Sequence, residues 1–251
     1  GAGICFADIS TAQISATYFT GASVESEIAN ELTTFSPKEL ITNIDVKQMP
    51  LVAAHLADRS ILVTRTEDKF KVAKETYVKY FSKEAESADF ENARVAAGAA
   101  MAYVEETQKV DCSYIKNIEL YQNSQYLEMD MATRRNLELT ETMLTKDKKG
   151  SLLWVLDKTG TAMGARLLRS QIEHPLTNVR QIVSRQRSIG ELLSNFMLRE
   201  EIREELTSVL DLERLMTKIT YGTASARELR AIAQTIAVLP RVKEMLSGTE
   251  S

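Results

Sequence analysis

Asp8 is the residue most suggestive of chemistry. It ends the apolar run Gly3-Ile4-Cys5-Phe6-Ala7, and a carboxylate at the end of a strand can hold a divalent cation. Metal-assisted phosphodiester hydrolysis uses two ions about 4 Å apart, held by several carboxylates. Asp45 and Glu119 are the loose candidates to join Asp8. The plainer reading is that Asp8 closes its strand and accepts hydrogen bonds from amides of the turn Ser10-Thr11-Ala12.

Gly160-Thr161-Ala162-Met163-Gly164-Ala165-Arg166 has a superficial likeness to a phosphate loop. That loop needs a four-residue gap, then Gly-Lys-Ser/Thr, between a strand and a helix. Here the gap is shorter, the lysine is absent and a helix precedes, so phosphate binding is not expected. Instead Thr159-Gly160 break one helix, Ala162 begins the next, and Gly164 allows close helix contact. His55 and His174 are isolated, with no Cys, His or acid at ligand spacing, which argues against zinc. His174 before Pro175 ends its helix, because the residue preceding proline is steered away from helical backbone.

Two groups of charged residues read as surfaces. Arg134 and Arg135 point about 100° apart on a helix. They could hold the angle between two domains, with Asp130 and Asn136 beside them, or simply pair with Glu138 and Glu141 on a helix surface. Lys69, Lys71, Lys74, Lys79 and Lys83 alternate with Glu67, Asp68, Glu75 and Glu84 along one helix, a pattern that reads as a solvated face.

The elements that carry these residues change character near residue 125. Before it, residues 3–9 and 13–19 form a hairpin whose first strand is apolar on both faces, as a central strand flanked by helices would be. Val24, Ile28 and Leu32 make a helix stripe. Ser36-Pro37-Lys38-Glu39 reads as a capping box with Pro at the first helical position. Strand 40–42, a weak helix 46–58, strand 61–64, helices 68–81 and 90–108, and strand 118–121 follow. Asp89 is the expected cap of the second of those helices, and its run Ala96-Ala97-Gly98-Ala99-Ala100 would let it approach a sheet closely. Residues 125–130 suit an edge strand leading into a helix capped by Asp130 or Thr133.

After Asp157 the pattern is helical throughout. Val179, Ile182, Val183, Ile189, Leu192 and Leu193 share a face; Ile202, Leu206, Val209 and Leu210 mark a second helix; Leu212, Leu215 and Ile219 a third. Ser225-Ala226-Arg227-Glu228 is a second capping box, opening a helix with Leu229, Ile232, Ile236 and Leu239 inward. Gly222 suits the left-handed position that ends the preceding helix.

The chain is therefore α/β followed by all-α, with domains expected at 1–122 and 123–251. With 251 residues it can bury a sizeable core. Its 31 basic and 35 acidic residues are intermingled, and a net charge of −4 lacks the basic stripe expected for nucleic-acid contact. Two distant cysteines suit a reducing, cytoplasmic compartment, and no apolar run nears the ~20 residues that cross a bilayer. The chain opens without Met almost directly on a strand and reads as an excised piece of a longer protein.

Several pieces occur together and in order: Met129-Asp130-Met131-Ala132-Thr133-Arg134-Arg135-Asn136-Leu137-Glu138-Leu139, Gly150-Ser151-Leu152-Leu153, Leu156-Asp157, Met163-Gly164, Arg166-Leu167-Leu168-Arg169 and Pro175-Leu176. Arg185-Gln186, Asp211-Leu212-Glu213-Arg214-Leu215, Gly222-Thr223-Ala224 and Arg227-Glu228-Leu229 continue the series. This series resembles the MutS family of DNA mismatch repair proteins. Gln171-Ile172 stands where that family usually has an aromatic-aliphatic pair, and Ala226 where proline is common.

The resemblance implies a ribonuclease H-like connector domain followed by the first part of the helical core and lever domain. It also implies that docking helices lie outside this chain, leaving exposed apolar surface and with it self-association or modest stability. Mismatched DNA would be read by a domain preceding Gly1. ATP and magnesium would bind in a domain following Ser251, within a homodimeric parent. The connector is implicated in docking MutL, to which the helix bearing Lys71, Lys74 and Glu75 could contribute. No cofactor or catalysis is expected of this chain. The alternatives are a metal-dependent nuclease of ribonuclease H-like fold using Asp8, or a helical adaptor with no repair role.

Overall fold

The structure is a computed structural model that describes residues 1–81, 90–108, 112, 114–122 and 126–249. It divides into two compact units, residues 1–122 with Met129–Met131, and residues 123–128 with 132–251.

The first unit is built on a hairpin. Strands β1 (Ala2–Asp8) and β2 (Gln13–Phe19) pair antiparallel from Ala2↔Phe19 to Asp8↔Gln13, and Ala12 takes a left-handed φ of 58° in the turn. The short β5 (Glu119–Leu120) lies parallel to β2. A separate parallel pair joins β3 (Glu39–Thr42) to β4 (Leu62–Arg65). The expected central position of β1 is corrected: among the described residues it pairs with β2 alone, and β2 is the middle strand.

The apolar composition of β1 has a different cause, because helices cover both its faces. On one side, helices α1 (Val24–Phe35) and α2 (Pro50–Asp58) bring Leu32, Val52 and Leu56 against Ile4 and Phe19, with Phe6 alongside. On the other, α4 (Ala73–Phe81) and α5 (Glu91–Gln108) bring Tyr77, Phe81, Ala97 and Met101 onto Ile14 and Ala16, with Cys5 at the margin. Burial in that layer pushes the Cys5 thiol up to about 12. Side chains alternate along a strand, so a strand covered twice must be apolar at successive positions.

Two glycines permit the close approach. A Cβ on Gly3 would lie 2.0 Å from the carbonyl oxygen of Asn92, and one on Gly98 would lie 1.9 Å from that of Ala73. The small-residue run therefore brings α5 against the start of α4 through Gly98 and onto the sheet through Ala97, with Gly3 of β1 admitting the helix backbone at Asn92. Asp89, the expected cap of α5, lies outside the described residues, as do Lys83 and Glu84.

Two local readings are corrected. Ser36-Pro37-Lys38-Glu39 caps no helix. Ser36 takes a φ of 45°, ends α1, and donates its hydroxyl to the Thr33 carbonyl, while the Glu39 carboxylate accepts from Thr64 at 3.1 Å and from Tyr103. The lysine-bearing helix is broken at Val72 into α3 (Asp68–Lys71) and α4.

The second unit begins with the short α6 (Met131–Asn136), of which Met131 groups with the first unit. Helices α7 (Leu152–Leu156), α8 (Ala162–Glu173), α9 (Val179–Ser194), α10 (Phe196–Leu206), α11 (Leu212–Thr220) and α12 (Ala226–Leu246) follow. Each of these six starts on a side-chain oxygen that accepts a first-turn amide, supplied in order by Ser151, Thr161, Asn178, Asn195, Asp211 and Ser225. Ser225 and Glu228 form the expected reciprocal capping box. Gly222, at φ 68°, ends α11 as expected, with Gly222 N–H to Ile219 and Thr223 N–H to Lys218 closing a Schellman motif.

Residue 125 of the expected edge strand at 125–130 lies outside the described residues, and among the described ones that span holds only an isolated bridge, Tyr126↔Leu176. On the Leu127 side the ladder is limited by Pro175, which has no N–H to donate and only accepts, from Leu127 N at 2.8 Å.

The apolar stripes of the second unit are largely uncovered. Val179, Ile189, Leu193, Phe196 and Met197 are exposed, Met197 to 73 %. Leu229, Ile236 and Leu239 are exposed rather than inward; Ile232 and Thr235 are the buried residues of α12. Val209 and Leu210 lie beyond the end of α10, where the Leu210 amide donates to Thr235 Oγ1 at 3.2 Å. Among the described residues no helix is long and apolar enough to cross a membrane.

Candidate functional surfaces

Asp8 turns its carboxylate into its own loop. Its Oδ1 accepts from Ser10 N at 2.9 Å and from the Ser10 hydroxyl at 2.6 Å. Asp45 accepts from Lys47 N at 3.0 Å, capping the 3-10 turn Val46–Gln48. Glu119 is exposed on β5. Among the described residues no three His, Cys, Asp or Glu side chains converge as a cation site.

Gly160-Thr161-Ala162-Met163-Gly164 forms the start of a helix. Thr161 Oγ1 accepts from Gly164 N at 3.0 Å to begin α8. A Cβ on Gly164 would meet Thr161 and Thr159, so this glycine admits its own capping loop rather than another helix.

On α3 and α4, Ala73, Thr76, Tyr77, Tyr80 and Phe81 are buried, whereas Lys71, Lys74 and Glu75 are exposed. The lysines are spread by ion pairs: Lys71 to Asp68 at 3.4 Å, Lys74 to Glu91 at 2.6 Å, Lys79 to Glu105 and Lys69 to Glu106. Three of these four reach across to α5. Lys74 holds the Glu91 carboxyl below the usual carboxylate range by donating to it. Solvent screens such exposed pairs, so they position the lysines more than they stabilise the fold. Val72 and Val78 are exposed beside them, so the face is mixed apolar and charged.

At the join, Met131 N donates to Asn30 Oδ1 of α1 at 2.9 Å, within the first unit. Asp130, Arg135 and Asn136 are exposed, and Arg134 is half-buried. The positive charge of Arg134 bears on Glu173 and His174 at the end of α8. Glu138, with φ 46°, accepts from Met143 N at 2.7 Å.

The best-formed ion cluster went unmarked in the sequence reading. Arg166 on α8 makes two 2.7 Å hydrogen bonds to the two oxygens of Asp211 and a third to Glu213. These bonds raise the guanidinium further above its ordinary range and depress the Asp211 carboxyl. The spacing of 45 residues gives no helical or strand periodicity by which the pair could be found.

Two family models divide the chain between them. Residues 1–119 match MutS domain II, and residues 132–251 match MutS domain III. The DNA mismatch repair protein MutS of Acetivibrio thermocellus is 41% identical over 249 residues, which is 97% of this chain and 29% of that protein. The chain belongs to the MutS family.

The MutS proteins of Lachnoclostridium phytofermentans and Ruminiclostridium cellulolyticum are 39% and 37% identical, covering 99% of this chain and 27% and 29% of theirs. The chain thus spans under a third of the length of these MutS relatives. The boundary between the MutS domain II and domain III matches falls at residues 120–131, immediately before the part of α6 that groups with the second unit.

Proposed function

We propose that this chain relays conformational state within a MutS-type mismatch recognition protein and carries out no reaction itself. The observation that carries this reading is the back-to-back match to MutS domains II and III, meeting at α6. In the parent, mismatched DNA and ATP with magnesium are handled by other domains, and the parent is a homodimer. The domains run from 1 to 122 and from 123 to 251. The first is a ribonuclease H-like connector, a reading supported by its antiparallel hairpin, parallel strand and helices on both faces. The second is the first part of the core and lever domain, in the cytoplasm.

The join is the relay, with Asp130, Arg134, Arg135 and Asn136 as its polar residues. In the full-length parent, replacing Arg134 and Arg135 by Gln should lower mismatch-stimulated ATP turnover while sparing mismatch affinity and unstimulated turnover. Unchanged stimulation would refute the relay.

Lys71, Lys74 and Glu75 contribute to a MutL-facing surface. The support is their exposure beside Val72 and Val78, a mixed patch suited to a protein partner. Reversing Lys71 and Lys74 to Glu should weaken MutL binding to this chain at least about tenfold, or roughly 1.4 kcal/mol. Equal binding by the variant would remove these residues from the surface.

A further inference from the structure

The end of α8 carries a titratable pair, Glu173 and His174, that the proposed relay and docking surface do not use. Residues 126–128 lie across it as a strap, held by the Tyr126↔Leu176 bridge and by Leu127 N donating to Pro175 O at 2.8 Å. The Tyr126 ring sits 5.2 Å from the imidazole of His174, centroid to centroid. His174 Nδ1 lies 3.3 Å from the Ser170 carbonyl, and the neighbouring Glu173 is buried, bonded at 2.9 Å by Arg169. Arg134 of α6 acts electrostatically on both Glu173 and His174.

We propose that this corner is a proton-sensitive strap: neutral His174 lets residues 126–128 dock on the end of α8, and protonated His174 loosens them. The charges that bear on His174 come from each side of the corner. Arg134 opposes a second cation, the Ser170 carbonyl favours one, and Tyr126 offers a ring. Glu128 on the strap is exposed.

Burial and Arg134 outweigh the Ser170 carbonyl, so the imidazole sits below its usual range. Burial raises the Glu173 carboxyl, so acid also discharges the anion next to His174 in the chain. Both changes add positive charge, as pH falls, at a corner that already holds Arg134. The Tyr126↔Leu176 bridge, the Leu127–Pro175 bond and the Tyr126–His174 ring contact hold a short segment, of the kind that opens locally.

The test is hydrogen exchange at the Leu127 amide of the intact chain, corrected for intrinsic rate, at pH 7.5 and pH 5.5. The expected result is protection at pH 7.5 that is lost at pH 5.5. His174→Gln, which cannot charge, should keep its protection at pH 5.5, and His174→Lys should have lost it already at pH 7.5. Protection in helix α12 at both pH values separates local release from unfolding. Unchanged protection in the parent chain, or the same loss in His174→Gln, would overturn the proposal.

Discussion

Arg166 places its two terminal nitrogens against the two oxygens of Asp211, each at 2.7 Å, so the carboxylate that caps α11 is also clamped from α8. A planar fork on a carboxylate fixes direction as well as distance. Glu213 on the same guanidinium makes the cluster net acidic without it. Arg166→Met should therefore destabilise the helical unit by about 1–2 kcal/mol, since two partly buried acids lose their partner. Arg166→Lys should recover only part of that, because an ammonium cannot make the paired bonds. Urea unfolding followed by the fluorescence of Trp154, the single tryptophan, reports on this unit. An unchanged midpoint in Arg166→Met would show the clamp to be idle.

The glycines separate steric need from mere flexibility. Gly3→Ala and Gly98→Ala each force a methyl into backbone about 2 Å away and should destabilise the first unit by about 1–3 kcal/mol. Gly190 has open space around its Cβ position in the middle of α9, so Gly190→Ala should stabilise that helix by roughly 0.5–1 kcal/mol. Circular dichroism melts of the three variants check both signs.

Acid should weaken the helical unit through its depressed carboxylates, Asp211 and two others. Asp157 is held at about 2, first by Lys148 and then by Thr159; Glu228 is held at about 2, first by Lys218 and then by Ser225. Both are depressed in the folded state, so their contribution is present above the unfolded values near 4 and is lost as pH falls towards 2. Asp157→Asn and Glu228→Gln should flatten the stability profile between pH 4 and pH 2, which urea titration at stepped pH measures. Ser225→Ala removes the reciprocal cap and should cost about 1 kcal/mol at neutral pH.

How much of this was legible in the sequence depended on how local the cause was. The opening hairpin, the Ser225–Glu228 box and the left-handed Gly222 were readable because each is set by a few adjacent residues. Ser36 was misread for the same reason: its local pattern suits a cap, but the chain has already turned left-handed there to end α1, and Glu39 is drawn to Thr64 and Tyr103 far along the sequence. The Arg166–Asp211 clamp was out of reach, because side chains 45 residues apart meet only once helices pack. The stripes on α9 and α12 were correctly apolar but said nothing of what covers them: Leu229 and Ile236 face out while Thr235 is buried.

On the proposed function, mismatch reading resides in parts of the parent other than these two domains. The most direct measurement is equilibrium binding of this chain to a labelled duplex with a single mismatch and to its fully paired counterpart, at physiological salt. Equal, weak and non-saturating binding to both is the predicted result. A saturable complex selective for the mismatch would contradict it.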